Sequence, residues 1–161
     1  MSAPASDAFV VRVAVDPADR ETCFAVRKEV FVAEQQVPPE IEYDAYDAAD
    51  ADTIHVLAVG PDGPLGTGRL LHGPAAAGKT GGDTTVGSLG RLAVTRAARG
   101  LGVGAALVRA IEDAARDRGL AAVDLHAQTH ATGFYERLGY VAYGAEFLDA
   151  GIAHRAMRRV L

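Results

Sequence analysis

Residues 88–119 read SLGRLAVTRAARGLGVGAALVRAIEDAARDRG, and this stretch decides the fold. It opens with β-friendly residues, passes through a turn rich in Arg and Gly, and ends in an amphipathic helix. In that helix Val103, Leu107, Val108, Ile111, Ala114 and Ala115 recur at the spacing of one apolar face. Arg109, Glu112, Asp113, Arg116 and Asp117 take the opposite side, which predicts one packed face and one wet face.

The junction of strand and helix carries the chemistry. Gly100, Gly102 and Gly104 remove side chains where the backbone turns into the helix, so successive N–H groups point outward at the positive end of the helix dipole. Such a terminus holds anions, phosphate above all. Arg99 at the mouth of the turn adds a full charge and a planar set of donors. Three glycines also suit a tight connection that binds nothing.

The length of 161 residues predicts one domain over residues 1–161, long enough to bury a core. With 49% hydrophobic and 23% charged residues the composition is that of a soluble globular protein. The formal net charge of -5 argues against a general nucleic-acid partner and against an anionic membrane surface. The single cysteine, Cys23, excludes an internal disulfide and a cysteine-rich metal site, and its place on a predicted helix makes it a core residue. Residues 1–16 lack the layout of a signal peptide, and no run approaches the roughly 18 apolar residues of a membrane helix. The expected location is therefore cytoplasmic.

Along the chain, residues 9–15 (FVVRVAV) predict a strand with Arg12 outward, and Asp16 before Pro17 predicts a helix cap. The helix should run to about Val32, with Arg27 and Lys28 expected on its solvated surface. Residues 33–52 are acidic and contain Pro38 and Pro39, so they predict a loop with at most a helical turn. Glu34, Glu40, Glu42, Asp44, Asp47, Asp50 and Asp52 there either keep the loop solvated or attract a cationic amine. Residues 53–59 and 65–71 predict a hairpin, residues 72–83 an irregular loop, and Thr84 the start of the next strand. After the central helix, residues 120–126 predict a strand parallel to the one before it. Residues 129–137 predict a short helix capped by Gly139, and residues 140–148 and 152–160 a final hairpin.

Two phosphate motifs are decoys. Gly73, Gly78, Lys79 and Thr80 match the P-loop spacing, yet Gly81, Gly82 and Asp83 follow where a phosphate-holding helix would have to continue. A dinucleotide turn counted from Gly102 needs a third glycine at residue 107, which is leucine.

Arg99-x-x-Gly102-x-Gly104, after LGRLAV and before an amphipathic helix, resembles the acyl-coenzyme A signature of the GNAT N-acetyltransferase superfamily. HAQTHATGFYERLGY (residues 126–140) is similar to that superfamily's later motif, with Phe134, Tyr135, Glu136, Gly139 and Tyr140 in place. Residues 26–47, His55 and residues 144–157 (GAEFLDAGIAHRAM) resemble the ElaA-like and YjcF-like branch, so the resemblance spans nearly the whole chain.

The resemblance implies a mixed, mostly antiparallel sheet flanked by helices, an α/β fold whose central parallel strands splay apart. It implies acetyl-coenzyme A as co-substrate, its pyrophosphate on the backbone of Arg99, Gly100, Leu101, Gly102, Val103 and Gly104, with Ala105 opening the helix. Leu92, Ala93 and Val94 are then expected to pair with the pantetheine amides as an added strand. Tyr135 matches the tyrosine that approaches the sulfur and serves as general acid, and Gln128 falls where relatives place an asparagine on the pantetheine arm. The strand glutamate that serves many relatives as base is replaced by Gly90, beside Arg91. Glu34, His126 and His55 remain as candidates, alongside a water chain; a histidine suits proton transfer near neutrality. The implied reaction is direct acetyl transfer to a primary amine of a small molecule or peptide, and the alternative is a non-catalytic acyl-coenzyme A binding or sensing module. A homodimer is compatible with the strand-rich C-terminus.

Overall fold

A computed structural model describes residues 9–161. Of residues 1–16, on which the expectation about a leader rests, residues 1–8 lie outside the described range. The strands are β1 (Val10–Val13), β2 (Ile54–Gly60), β3 (Gly63–Leu71), β4 (Val86–Val94), β5 (Ala122–Gln128), β6 (Val141–Asp149) and β7 (Ile152–Val160). The α-helices are α1 (Pro17–Arg27), α2 (Pro39–Glu42), α3 (Ala77–Thr80), α4 (Val103–Asp117) and α5 (Thr132–Arg137). The strands form one sheet in the order β1-β2-β3-β4-β5-β7-β6. Only β4 and β5 run parallel, as expected of strands joined through α4; every other neighbouring pair is antiparallel.

The predicted apolar face of α4 is buried residue for residue and packs on β1 to β4. Its close approach explains two glycines on β3. A Cβ at Gly66 would lie 2.9 Å from Leu107, and one at Gly68 would lie 2.9 Å from Ile111. The wet face needs one correction. Glu112 is fully buried, because Tyr140, just before β6, and Arg159 of β7 close over it. Arg109 donates to the same carboxylate at 2.8 Å.

On the other side, α1 lies against β2 and β3 with Cys23 buried as predicted. Asp16 caps it by accepting from the Asp19 amide. Beyond Arg27 the helix does not stop near Val32 but widens into a π-helical stretch, Lys28–Glu34. Lys28 is exposed, whereas Arg27 is not on the surface; it is buried to 1% exposure. It donates to Glu42 at 2.6 Å and to both oxygens of Asp47 at 2.7 and 2.8 Å. Arg69 on β3 pairs with Asp44 and Asp47, and Arg91 reaches Asp44. Three acids of the segment expected to be a solvated loop are thus neutralised internally by three arginines. That segment gains its order from these pairs, with α2 and the 3-10 turn Ala45–Asp47 forming around them. The 72–83 loop likewise holds a 3-10 turn, Pro74–Ala76, and the short α3.

Among the described residues no helix is long and apolar enough to cross a membrane.

Candidate active site

The parallel pairing of β4 and β5 ends at Leu89 and Leu125, although both strands continue. The cause is a bulge. On β4 the register against β3 skips a residue between Gly90 and Ala93, and Arg91 there adopts φ 51, a left-handed conformation costly for a residue with a side chain. From Leu92 to Val94 the strand therefore keeps β3 on one edge and has no strand on the other.

A cleft of about 280 Å³ fills this gap. Leu89 to Leu92 form one wall, Leu125 to Gln128 the other, and Tyr135 of α5 closes the base. Tyr135 is only 9% exposed and packs edge-on against Phe134 and Tyr140. Burial pushes its hydroxyl up to about 12, so it stays protonated and able to donate across the neutral range.

The glycine turn lies at the end of β4. Gly100 and Gly102 have φ 82 and 83, which L side chains avoid, and Gly102 caps α4 without a side-chain bond. From Gly100 to Ala105 the backbone amides make no hydrogen bond to any described residue, so six donors sit together at the start of a 15-residue helix. Gly104 is bare for another reason: a Cβ there would lie 3.2 Å from the Phe134 ring. Arg99 spans the turn, donating to the Val94 carbonyl at 3.1 Å and to Glu34 at 2.8 Å.

The three sequence candidates for a base are not brought together. Glu34 ends the π-helical stretch, bound to Arg99 and outside the lining of the cleft. His55 is buried against α1, its ring edge-on to Phe24 and both nitrogens without a hydrogen bond. Burial lowers it to about 4. His126 does line the cleft, edge-on to Phe147, and is lowered by burial and by the Lys79 charge. Gln128 ends the same wall, its Oε1 accepting from His130 Nε2 at 2.7 Å and its Nε2 donating to Gln35 Oε1 at 3.4 Å.

A second cavity of about 300 Å³ adjoins the first, beside α2 and the β6–β7 turn. Lys79, Arg91, Gln128, Asp149 and His154 border both cavities, together with Phe31 and Gln35. Lys79, the lysine of the P-loop decoy, sits on a helix of four residues and reaches the cleft with its side chain. Asp124 of β5 is taken by Arg158 and Tyr143. Sequence reasoning did not single out Arg91 or His154 as parts of this site; the segment 144–157 holding His154 was the only signal.

A parallel strand pair parted beside an anion-binding helix start, with a buried tyrosine at the fork, is an arrangement suited to acyl transfer from a phosphorylated carrier. The family model described as an acetyltransferase (GNAT) domain matches residues 69–161, and the chain belongs to that family. It is similar to YjcF of Bacillus subtilis, an uncharacterised N-acetyltransferase, with 39% identity over 137 residues that cover 84% of this chain and 89% of YjcF. An acyl-CoA N-acyltransferase structure from Pseudomonas aeruginosa aligns with TM-score 0.75 at 32% identity, over 94% of this chain and 98% of that one. Escherichia coli ElaA shares the fold, with TM-score 0.79 at 24% identity over 94% and 99%. The chain is thus an acyltransferase of the branch that its residues resemble.

Proposed function

We propose that residues 1–161 form one N-acetyltransferase domain that moves the acetyl group of acetyl-coenzyme A to a primary amine of a small molecule or peptide, in the cytoplasm. The observation that carries this reading is the run of six unpaired amides from Gly100 to Ala105, opening beside the unpaired edge of β4. Pyrophosphate would take the amides and the Arg99 guanidinium. The pantetheine arm would lie along Leu92, Ala93 and Val94 as a strand, with the Gln128 amide within reach. The thioester would then rest at the fork beside Tyr135.

Transfer asks for a neutral amine, a polarised carbonyl and a protonated leaving thiolate. Tyr135, buried and protonated, is suited to give its proton to the sulfur. The amine would enter from the second cavity, and its proton leaves into the imidazole-bearing wall that includes His126. A homodimer belongs to the same reading, since β6 is an edge strand with Val141 and Leu148 exposed.

Calorimetric titration of acetyl-coenzyme A, ATP and NAD into the wild type and Gly102→Trp tests it. Binding of acetyl-coenzyme A alone, lost in the variant, together with amine-dependent release of coenzyme A, is the expected result. Binding without turnover on any amine would leave only a coenzyme-binding module.

A further inference from the structure

On β7, next to the β5 wall of the cleft, stands a group better placed than His126 to take the amine's proton. His154, on β7, faces Gln128 of β5 in register on one side and Phe147 of β6 on the other. All three side chains therefore stand on the same face of the sheet. The Phe147 ring stacks on the imidazole at 5.9 Å and 25°, which fixes the plane of the ring. His154 Nδ1 lies 2.7 Å from the Ile152 carbonyl oxygen. A carbonyl can only accept, so Nδ1 carries the hydrogen and Nε2 of the neutral ring keeps its lone pair. The backbone thus sets the tautomer that a base requires.

Position separates the two histidines. His126 borders only the cleft between the splayed strands, whereas His154 borders both that cleft and the second cavity. A base for acyl transfer must touch the amine as it arrives from one space and attacks a carbon held in the other. His154 stands at that seam.

We propose that His154 is the general base of the reaction, which deepens and rests on the acetyltransferase reading. The amine nitrogen forms a bond to the thioester carbonyl carbon and the carbon–sulfur bond breaks. The amine's proton passes to His154 Nε2, while the Tyr135 hydroxyl gives its proton to the departing sulfur. The imidazolium and phenolate left behind neutralise each other through solvent, restoring both groups. His126, His130, Lys79, Arg91 and Asp149 face the same space and set the electrostatic surroundings of the ring.

Two variants separate a base from a structural hydrogen bond. His154→Asn keeps an N–H able to reach the Ile152 carbonyl but has no nitrogen lone pair in place of Nε2. His154→Gly leaves room for added imidazole. Release of coenzyme A from acetyl-coenzyme A is followed with butylamine, glycinamide and a lysine-containing peptide. The expected result is a kcat lower by about 100-fold in His154→Asn, with KM for acetyl-coenzyme A unchanged, and partial rescue of His154→Gly by imidazole. His154→Asn turning over at the wild-type rate would overturn the proposal. Nitrogen-15 imidazole spectra of the wild type with acetyl-coenzyme A bound read the tautomer directly. A hydrogen on Nδ1 agrees with the proposal, and one on Nε2 in the neutral ring overturns it whatever the kinetics. A wild type that binds no acetyl-coenzyme A, or turns over none of the amines, removes the acetyltransferase reading and this role with it.

Discussion

Arg99 Nη2 and Glu34 Oε2 stand 2.8 Å apart across the mouth of the glycine turn, although 65 residues separate them in the chain. The carboxylate that sequence reasoning nominated as a base thus occupies the guanidinium expected to meet pyrophosphate. Both side chains keep contact with water, at 44% and 19% exposure, so the pair is worth about 0.2–1 kcal/mol. Glu34→Gln frees Arg99 and removes a negative charge from an anion site. Its Kd for acetyl-coenzyme A should fall by up to about fivefold by calorimetry, the equivalent of that pair energy at its upper end, with kcat unchanged. A kcat lower by about 100-fold would instead return Glu34 to the role of base.

Tyr135 offers a sharper kinetic signature. Its hydroxyl is held near 12 by burial alone, so in the resting enzyme it stays protonated at working pH and ready to give its proton to the sulfur. Tyr135→Phe should lower kcat by about 100-fold while the Kd for acetyl-coenzyme A stays near the wild-type value. Wild-type turnover should show no descending limb from this group below about pH 10, because the hydroxyl remains protonated there. Full activity of the phenylalanine variant would reduce Tyr135 to a packing residue between Phe134 and Tyr140.

What the sequence made legible follows from locality. The face of α4, the glycine turn, the Asp16 cap and the parallel β4–β5 pair each depend on residues within one short window, where a helical period or a cap can be read. What was missed depends on partners far along the chain. Glu112 sits at a polar position of its helix, but its partners Tyr140 and Arg159 lie 28 and 47 residues away. Arg27 meets Glu42 and Asp47 only once the segment after α1 folds back. The left-handed Arg91 at the bulge carries no glycine to announce it. His154 depends on the order β5-β7-β6, which sets Gln128 and Phe147 on either side of it.

The Arg27 cluster should therefore carry much of the stability that holds the acceptor side of the cleft. Arg27→Met leaves the Glu42 and Asp47 carboxylates buried without their main cation. Urea unfolding should show a loss of about 3–5 kcal/mol, as for other broken buried pairs. Lys28→Ala, one residue on but exposed, should stay within about 0.5 kcal/mol of the wild type. Equal effects from the two would mean that the buried pairs contribute nothing beyond surface charge.

His55 gives the same region a pH dependence with a definite sign. Its folded-state pKa is lowered from 6.5 to about 4, mainly by burial, so between those values the unfolded chain binds the proton and the folded chain does not. Stability is therefore unaffected by this group above pH 6.5 and declines as pH falls from 6.5 to 4, by at most roughly 3 kcal/mol. Asp47, held well below the usual carboxylate range by Arg27 and the Asp44 amide against the cost of its burial, acts lower. Its contribution is present above about pH 4 and is lost as pH drops further. His55→Leu removes a ring whose two nitrogens are unpaired, and should flatten the upper limb while leaving the lower one. Urea midpoints from pH 8 down to pH 3 check this, and an upper limb of unchanged slope in the variant would assign that proton uptake to another group.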